Sequence, residues 1–300
     1  MLVTGAEGFL GRAVTRLLEN SGKRVIALDK LVAPESRSQR TTTVACDVRN
    51  KAGLEVVFEQ HQPFESLIHL AAILPTAAQR DPVRATEVNI DGGLHLLHLA
   101  QRFRVRRFVF GSSLSIYGTC AADQVVSEAD RAAPEDLYGV AKLYVEQMGA
   151  AYAATSGMEF VSLRIGRVVG PGAQSTTSAW RSQIFELLQT NFSTDLALPY
   201  VESERVLLVH VDDAARALVM LLQQQKLAHT IYNAPCESWT VRELKQNLQA
   251  LNPKLSVRTD DRAAKGNPRL VDWSRFRGEF GFSTMPIAER LKAAAQPGSG

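Results

Sequence analysis

The chain has 300 residues, 45% of them apolar and 22% charged, with a formal net charge of only +3. That is enough apolar material for a large core, and it suits one α/β domain with an appended part. Charge this low argues against a nucleic-acid or membrane-surface footprint, and no apolar run approaches the ~18 residues of a spanning helix, so no nucleic acid, no membrane and no signal peptide are expected.

Met1-Leu2-Val3 is a short apolar strand running into Thr4-Gly5-Ala6-Glu7-Gly8-Phe9-Leu10-Gly11, after which Leu10, Val14, Leu17 and Leu18 mark one side of a helix. Strand, glycine turn and helix in that order predict a phosphate cradle. The glycines let backbone N–H groups approach a pyrophosphate, and the positive end of the helix dipole faces it. The spacing is G-x-x-G-x-x-G, not G-x-G-x-x-G, and the triplet alone is a weak signal that gains weight from its flanks. Gly5, Gly8, Phe9, Leu10 and Gly11 are the cofactor candidates of this turn. The next strand, Arg24 to Leu28, ends in Asp29, a carboxylate placed to hydrogen-bond adenosine ribose hydroxyls. It would repel a 2′-phosphate, which favours NAD over NADP, although Lys30, Arg37 and Arg40 lie close by. Cys46-Asp47-Val48 offers a second carboxylate, suited to an adenine amino group, with Val48 beside it. Ser66-Leu67-Ile68-His69-Leu70-Ala71-Ala72 reads as a fully buried parallel strand whose small end lets a cofactor lie against Leu70, Ala71 and Ala72, with His69 a hydrogen-bonded structural residue.

Arg107-Phe108-Val109-Phe110 is a strand that delivers Ser112 and Ser113 at its carboxyl end, where doubly wound sheets bind ligands. Tyr138 and Lys142, four apart, share one face of a helix expected over 138–155. There the ammonium is expected to lower the phenol pKa from ~10 towards working pH, so that the tyrosinate accepts a proton. A base beside a dinucleotide site points to an alcohol giving its proton to the protein and its hydride to nicotinamide. Tyr117 reads as an aromatic lining the pocket. Arg102, Arg104, Arg106 and Arg107 read as a solvated helix end, with an acidic partner as the alternative.

Strands and helices alternate to about Gly166, loosen after Gly170-Pro171-Gly172, and resume with a sheet strand from Val206 to Val211 and a helix from about Asp212 to Gln225. A further helix opens at Trp239-Thr240 and runs to about Leu251. The expected fold is α/β, a doubly wound parallel (Rossmann-type) sheet with a smaller, intertwined C-terminal substrate-binding part. Residues 1–166 and 206–225 form the cofactor domain in this reading, 167–205 and 226–295 the substrate part, and 296–300 a disordered tail. Cys46, Cys120 and Cys236 lack C-x-x-C spacing, and His95 and His98 have no third ligand in sequence, so reduced thiols in a cytoplasm and no metal are expected.

T-G-A-E-G-F-L-G, Asp29, C-D-V-R, H-L-A-A, Val88-Asn89, G-S-S-L-S-I-Y-G, P-E-D-L-Y-G-V-A-K, L-R-I-G-R-V-V-G-P-G and H-V-D-D-A-A occur in that order. Together they resemble the extended short-chain dehydrogenase/reductases, the NAD-dependent epimerase/dehydratase family, over nearly the whole chain. The resemblance implies that Ser113 hydrogen-bonds the reacting oxygen, Tyr138 is the acid/base, and Lys142 holds the nicotinamide ribose and tunes Tyr138. Ser112 is the rival serine, and the family's register, in which the active hydroxyl lies five residues before a glycine (here Gly118), favours Ser113. By the same resemblance Asn89 sits near the cofactor pocket with a helix-shaping role, and His210 and Asp212 are structural. The resemblance also implies helices that pair between subunits, hence a homodimer.

Nucleotide-sugar members of the family carry an asparagine where this chain has Arg167, and an arginine four residues before the histidine of H-V-D-D, where Arg205 stands five before His210. Either arginine offers a fork for a phosphate or a carboxylate. Ser175-Thr176-Thr177-Ser178-Ala179-Trp180, with Thr177 as the candidate contact, resembles small-substrate members such as threonine dehydrogenases and four-carbon sugar-acid dehydrogenases. The 4,6-dehydratases need an Asp-Glu pair where Leu114 and Ser115 stand, so dehydration is not expected. The expectation is therefore NAD-dependent hydride transfer at a secondary alcohol of a small polar sugar or sugar-derived substrate. Nucleotide-sugar 4-epimerisation and small hydroxy-acid or amino-acid dehydrogenation both stay open, and a non-enzymatic NAD-binding regulator is the competing class.

Overall fold

The computed structural model describes residues 1–32, 38–173 and 178–296. Its strands are β1 (Leu2–Thr4), β2 (Val25–Asp29), β3 (Thr41–Ala45), β4 (Ser66–His69), β5 (Arg107–Ser113), β6 (Val125–Val126), β7 (Glu159–Ile165), β8 (Arg167–Val169), β9 (Thr194–Leu198), β10 (Arg205–His210), β11 (Ile231–Asn233), β12 (Glu237–Thr240), β13 (Leu255–Thr259) and β14 (Leu270–Val271). Its helices are α1 (Phe9–Asn20), α2 (Lys51–His61), α3 (Pro75–Arg80), α4 (Pro82–Thr86), α5 (Gly92–Arg102), α6 (Leu137–Thr155), α7 (Trp180–Glu186), α8 (Val211–Gln223), α9 (Val241–Leu251), α10 (Ser274–Phe280) and α11 (Ile287–Ala295).

Seven strands form one parallel sheet in the order β11-β7-β5-β4-β1-β2-β3. The order reverses at β1, the switch point where such sheets open a crevice at their carboxyl ends. Successive residues of the central strands supply two different cores, as the two-residue period of a strand requires. Val3, Ile68 and Val109 pack with Val14, Leu18, Ala217 and Leu221 of α1 and α8. Leu2, Leu67 and Phe108 pack on the other face with Leu54, Phe58, Leu97 and Val145 of α2, α5 and α6. A third core, including Trp180, Phe185, Leu198, Leu244 and Leu291, holds the smaller part together. α6 leaves Leu137, Val140 and Tyr144 exposed. No helix among the described residues is long and apolar enough to cross a membrane.

Two expectations are corrected. The strand expected to join the main sheet, now β10, pairs instead with β8 and β12 in a three-stranded sheet, while β11, assigned to the substrate part, takes the free edge of β7. β10 is apolar along its length because it is buried on both sides: Leu207 and Val209 enter the core under α1 and α8, and Val206 and Leu208 enter the core of the smaller part. Such a run reads like a central strand whichever sheet it joins. The basic cluster is also more than a solvated helix end. Arg107 is fully buried, with Nη2 2.7 Å from Glu159 Oε2 and Nη1 donating to Leu221 O at 2.9 Å and to Gln224 O. It thereby satisfies carbonyls at the C-terminus of α8. Arg107→Met should cost about 3 kcal/mol, seen as a lower urea midpoint at unchanged slope, because those carbonyls and Glu159 lose their partner.

Candidate active site

The glycine turn is held by close backbone approach. Gly5 has φ +68°, and a Cβ there would lie 2.6 Å from Ala71 N. At Gly11 a Cβ would lie 2.0 Å from Gly5 O. Gly8 caps α1 without a side-chain hydrogen bond, so the first-turn N–H groups at Phe9 and Leu10 have no capping side chain. The turn borders a cavity of about 1080 Å³ lined by, among others, Gly5, Gly8, Asp29, Asp47, Leu70 and Ala72. Ala71 and Val48 also face it. A cradle that any side chain would fill, a helix N-terminus and Asp29 at the end of β2 fit a dinucleotide. Asp29 Oδ2 accepts from Glu7 N at 3.0 Å, which ties the carboxylate to the glycine turn. Arg49 grips Asp47 through Nε and Nη2 and holds its carboxyl below the usual range. Arg12, which sequence reasoning missed, donates to Glu7 O at 2.7 Å and to Gly172 O at 2.6 Å and so joins the turn to the 170–172 loop.

His69 is structural, as expected: its Nδ1 meets Thr4 Oγ1 at 2.7 Å, and burial pushes its pKa down to about 3. Asn89, in a π-helical turn over Glu87–Asp91, accepts from Ile73 N at 2.7 Å and donates to Ile73 O at 2.9 Å. It straps the cavity wall at 70–73 to the helix. His210 accepts from Asp212 N at 3.2 Å as the cap of α8.

At the carboxyl end of β5 the two serines differ. Ser113 Oγ accepts from Ser115 N at 3.1 Å and from Ser115 Oγ at 2.9 Å, which leaves its own proton to donate elsewhere. Ser112 Oγ is buried with no hydrogen-bond partner. α6 starts beside this turn, with Asp136 Oδ1 accepting from Gly139 N at 2.6 Å as its cap. A Cβ on Gly139 would lie 2.7 Å from Ser115 O, so the glycine after Tyr138 lets the helix press against the serine turn. Lys142 Nζ donates to Gly111 O at 2.7 Å and lies 4.6 Å from the Phe110 ring centre and 5.5 Å from that of Tyr138. One turn further along α6, buried Glu146 pairs with Arg164 of β7 at 2.8 Å. Arg164 also donates to Tyr117 Oη at 2.8 Å, and Tyr117 Oη donates to Asn233 Oδ1 at 2.8 Å. Tyr117 therefore belongs to a buried network and is not the pocket-lining aromatic expected from sequence.

The electrostatics depart from expectation in one respect. Burial pushes the Tyr138 phenol up to about 12, and the cation that opposes the shift is Arg181, not Lys142. Lys142 is itself pushed down to about 7 by burial, with Glu146 pulling it back. A lysine buried this deeply loses more hydration than one distant carboxylate restores. Arg181 is a residue that sequence reasoning missed, because an isolated arginine at the start of a short helix carries no motif. Arg167 is buried and donates through Nε to Tyr200 Oη at 3.2 Å. Arg205 is half-buried and donates to Ser238 Oγ at 3.3 Å near the start of α9. Thr177 lies outside the described residues. Among the described residues no cluster of His, Cys, Asp and Glu could hold a metal.

The Lys142 shift has a stability consequence. Below pH 7 both folded and unfolded chains carry the proton and the cost of burying the charge is fully felt, whereas between about 7 and 10.5 only the unfolded chain binds it, so stability contributed by this site rises with pH. Any stability advantage of Lys142→Met over the parent should therefore shrink by at least ~1 kcal/mol between pH 7 and pH 10.5 in paired urea titrations.

Residues 1–234 match the profile of the NAD dependent epimerase/dehydratase family. A UDP-glucose 4-epimerase from Rhizobium leguminosarum bv. trifolii is 30% identical over 182 residues, 60% of this chain and only 55%, about half, of that enzyme's length. The crystal structure of a Thermus thermophilus UDP-glucose 4-epimerase in complex with NAD is 25% identical, with a TM-score of 0.85 over 98% of this chain and 97% of that one. A GalE-like L-threonine dehydrogenase from Cupriavidus necator, 22% identical, shares the fold with a TM-score of 0.86 over 98% of both chains. With the strand order, the glycine cradle and a match spanning 1–234, this chain belongs to the NAD dependent epimerase/dehydratase family.

Proposed function

We propose that this enzyme transfers hydride between NAD and a secondary alcohol carbon of a sugar or sugar-derived substrate, with Tyr138 as acid/base, Ser113 orienting the reacting oxygen and Lys142 positioning the cofactor ribose. The observation that supports the reading is the close approach of Gly139 to Ser115 O, together with the bond from Lys142 Nζ to Gly111 O, at the carboxyl end of β5. The first turn of α1 would hold the pyrophosphate, Asp29 the adenosine ribose, and Asp47 with Val48 the adenine. Bound NAD supplies the hydride acceptor.

Ser113 Oγ, with two donors already on it, has its proton left for the substrate oxygen. Burial keeps the Tyr138 phenol protonated at neutral pH, so it is ready to donate when a carbonyl is reduced. In the direction of alcohol oxidation the phenolate must form, and the positive charge of Arg181 favours it. A non-enzymatic regulator would not need Ser113, Tyr138 and Lys142, and all three are present. Two substrate classes fit: a nucleotide sugar, as in the UDP-glucose 4-epimerase relatives, and a small hydroxy acid or amino acid, towards which Arg167 in place of the usual asparagine points. An epimerase must retain its cofactor through turnover, and a dehydrogenase must release NADH.

Absorbance of NADH, followed with nucleotide sugars in one panel and free sugar acids and hydroxy acids in another, separates the two. Accumulation with a free acid identifies a dehydrogenase; interconversion of a nucleotide sugar without accumulation, with NAD retained through purification, identifies an epimerase. Tyr138→Phe should lower kcat by about 10²–10⁴ while leaving NAD affinity intact; full turnover in that variant would remove Tyr138 from the chemistry. Gly11→Ala should abolish NAD binding measured by calorimetry, since its Cβ meets Gly5 O at 2.0 Å.

A further inference from the structure

Arg181, whose charge acts on the Tyr138 phenol, and Arg167 stand without a carboxylate counter-ion among the described residues. Arg167 of β8 and Arg181 of α7 act on each other electrostatically, yet neither has a carboxylate ion partner among the described residues. Arg167 spends one N–H on Tyr200 and lies 5.3 Å from that ring's centre. Arg181 lies 5.9 Å from the centre of the Trp180 ring, and Trp180 in turn packs edge-on against Tyr200 at 6.2 Å. Its Nε is buried and meets no acceptor. Among the described residues Arg164 is matched by Glu146, Arg269 by Glu204 and Arg290 by Asp213, whereas half-buried Arg12 and Arg205 donate only to uncharged oxygens. Two like charges acting on each other, one buried and one half-buried, are unfavourable unless an anion completes them. Burial and the Arg167 charge draw Arg181 down to about 10, so Arg181 remains cationic at neutral pH.

We infer that Arg167 and Arg181, framed by Trp180 and Tyr200, form the anion site of the substrate and take its carboxylate or phosphoryl oxygens while the reacting alcohol lies at Tyr138. Planar guanidinium forks suit either group. Arg181 then has two effects: it binds the substrate's anionic end, and its field reaches the phenol that moves the proton. The inference rests on the hydride-transfer reading only for the location of the reacting carbon.

Trp180 makes the site observable without turnover. NAD-saturated protein, its pyrophosphate cradle thus filled, is titrated with malonate and with inorganic pyrophosphate at constant ionic strength while tryptophan fluorescence is followed. One saturable phase is expected in the parent, weakened at least about tenfold in Arg181→Gln and in Arg167→Gln, partly restored in Arg181→Lys, and unchanged in Arg205→Gln. Tighter malonate binding assigns a sugar acid or hydroxy acid, and tighter pyrophosphate binding a nucleoside-diphosphate sugar. Retained NAD affinity shows that each variant is folded. An unsaturable signal in the parent, equal affinity in parent and both glutamine variants, or a loss in Arg205→Gln as large as theirs overturns the proposal. Full turnover in Tyr138→Phe would sink the hydride-transfer reading and leave these titrations standing; flat titrations would sink the anion site and leave that reading untouched.

Discussion

The ion pair between Arg164 of β7 and Glu146 of α6 ties together the parts of the site that lie far apart in sequence. Both side chains are buried, so each needs the other, and Nη1 of the guanidinium donates to Tyr117 at the end of the serine turn. Tyr117 passes the chain of bonds to Asn233 of β11, and Asn233 donates to Asp272 O at 2.9 Å beyond it. Helix, serine turn, central strand and edge strand are thereby held in one register. Glu146 lies one turn from Lys142 and is the carboxylate that opposes the effect of burial on it. A structural pair thus sets the environment of the lysine as well as its position.

The distribution of buried cations separates scaffold from site. Arg107 and Arg164 are saturated by carbonyls, carboxylates and a phenol, and their work is to close helix ends and join elements. Lys142 has a backbone carbonyl and two aromatic rings, but its carboxylate influence is indirect. Arg181 has an aromatic neighbour and no hydrogen-bond acceptor for its buried Nε.

The smaller part is attached by a strand shared between cores. β10 places alternate residues in the core under α1 and α8 and in the core of the smaller part, while the chain continues directly into α8 on the main sheet. β8 runs beside β10, so Arg167 is carried by the same small sheet that this strand anchors. The position of Arg167 therefore depends on packing across β10.

The local features were legible from the chain because they obey short-range rules. Glycines at 5, 8 and 11 between a strand and a helix, a carboxylate at the end of the next strand, and Tyr138 and Lys142 one helical turn apart all follow from backbone geometry and spacing within a few residues. The seven-strand parallel sheet was legible too, since alternation of apolar strands and helices leaves few other topologies. Other features depended on which strand pairs with which and on what surrounds a charge. Arg205–His210 and Ile231–Asn233 are short apolar runs whose composition suits either sheet, and only the competition for the edge of β7 decided between them. The same holds for Arg107, hidden in an apparently solvated cluster, and for Arg181, which carries no motif. By itself, then, the sequence determined the glycine turn, the Tyr138–Lys142 spacing on one helix and the parallel sheet, because these are written in local periodicity. Only the tertiary structure decided that burial, with Arg181 opposing it, governs the Tyr138 phenol, because desolvation and charge proximity are properties of enclosure, to which neighbours distant in sequence contribute.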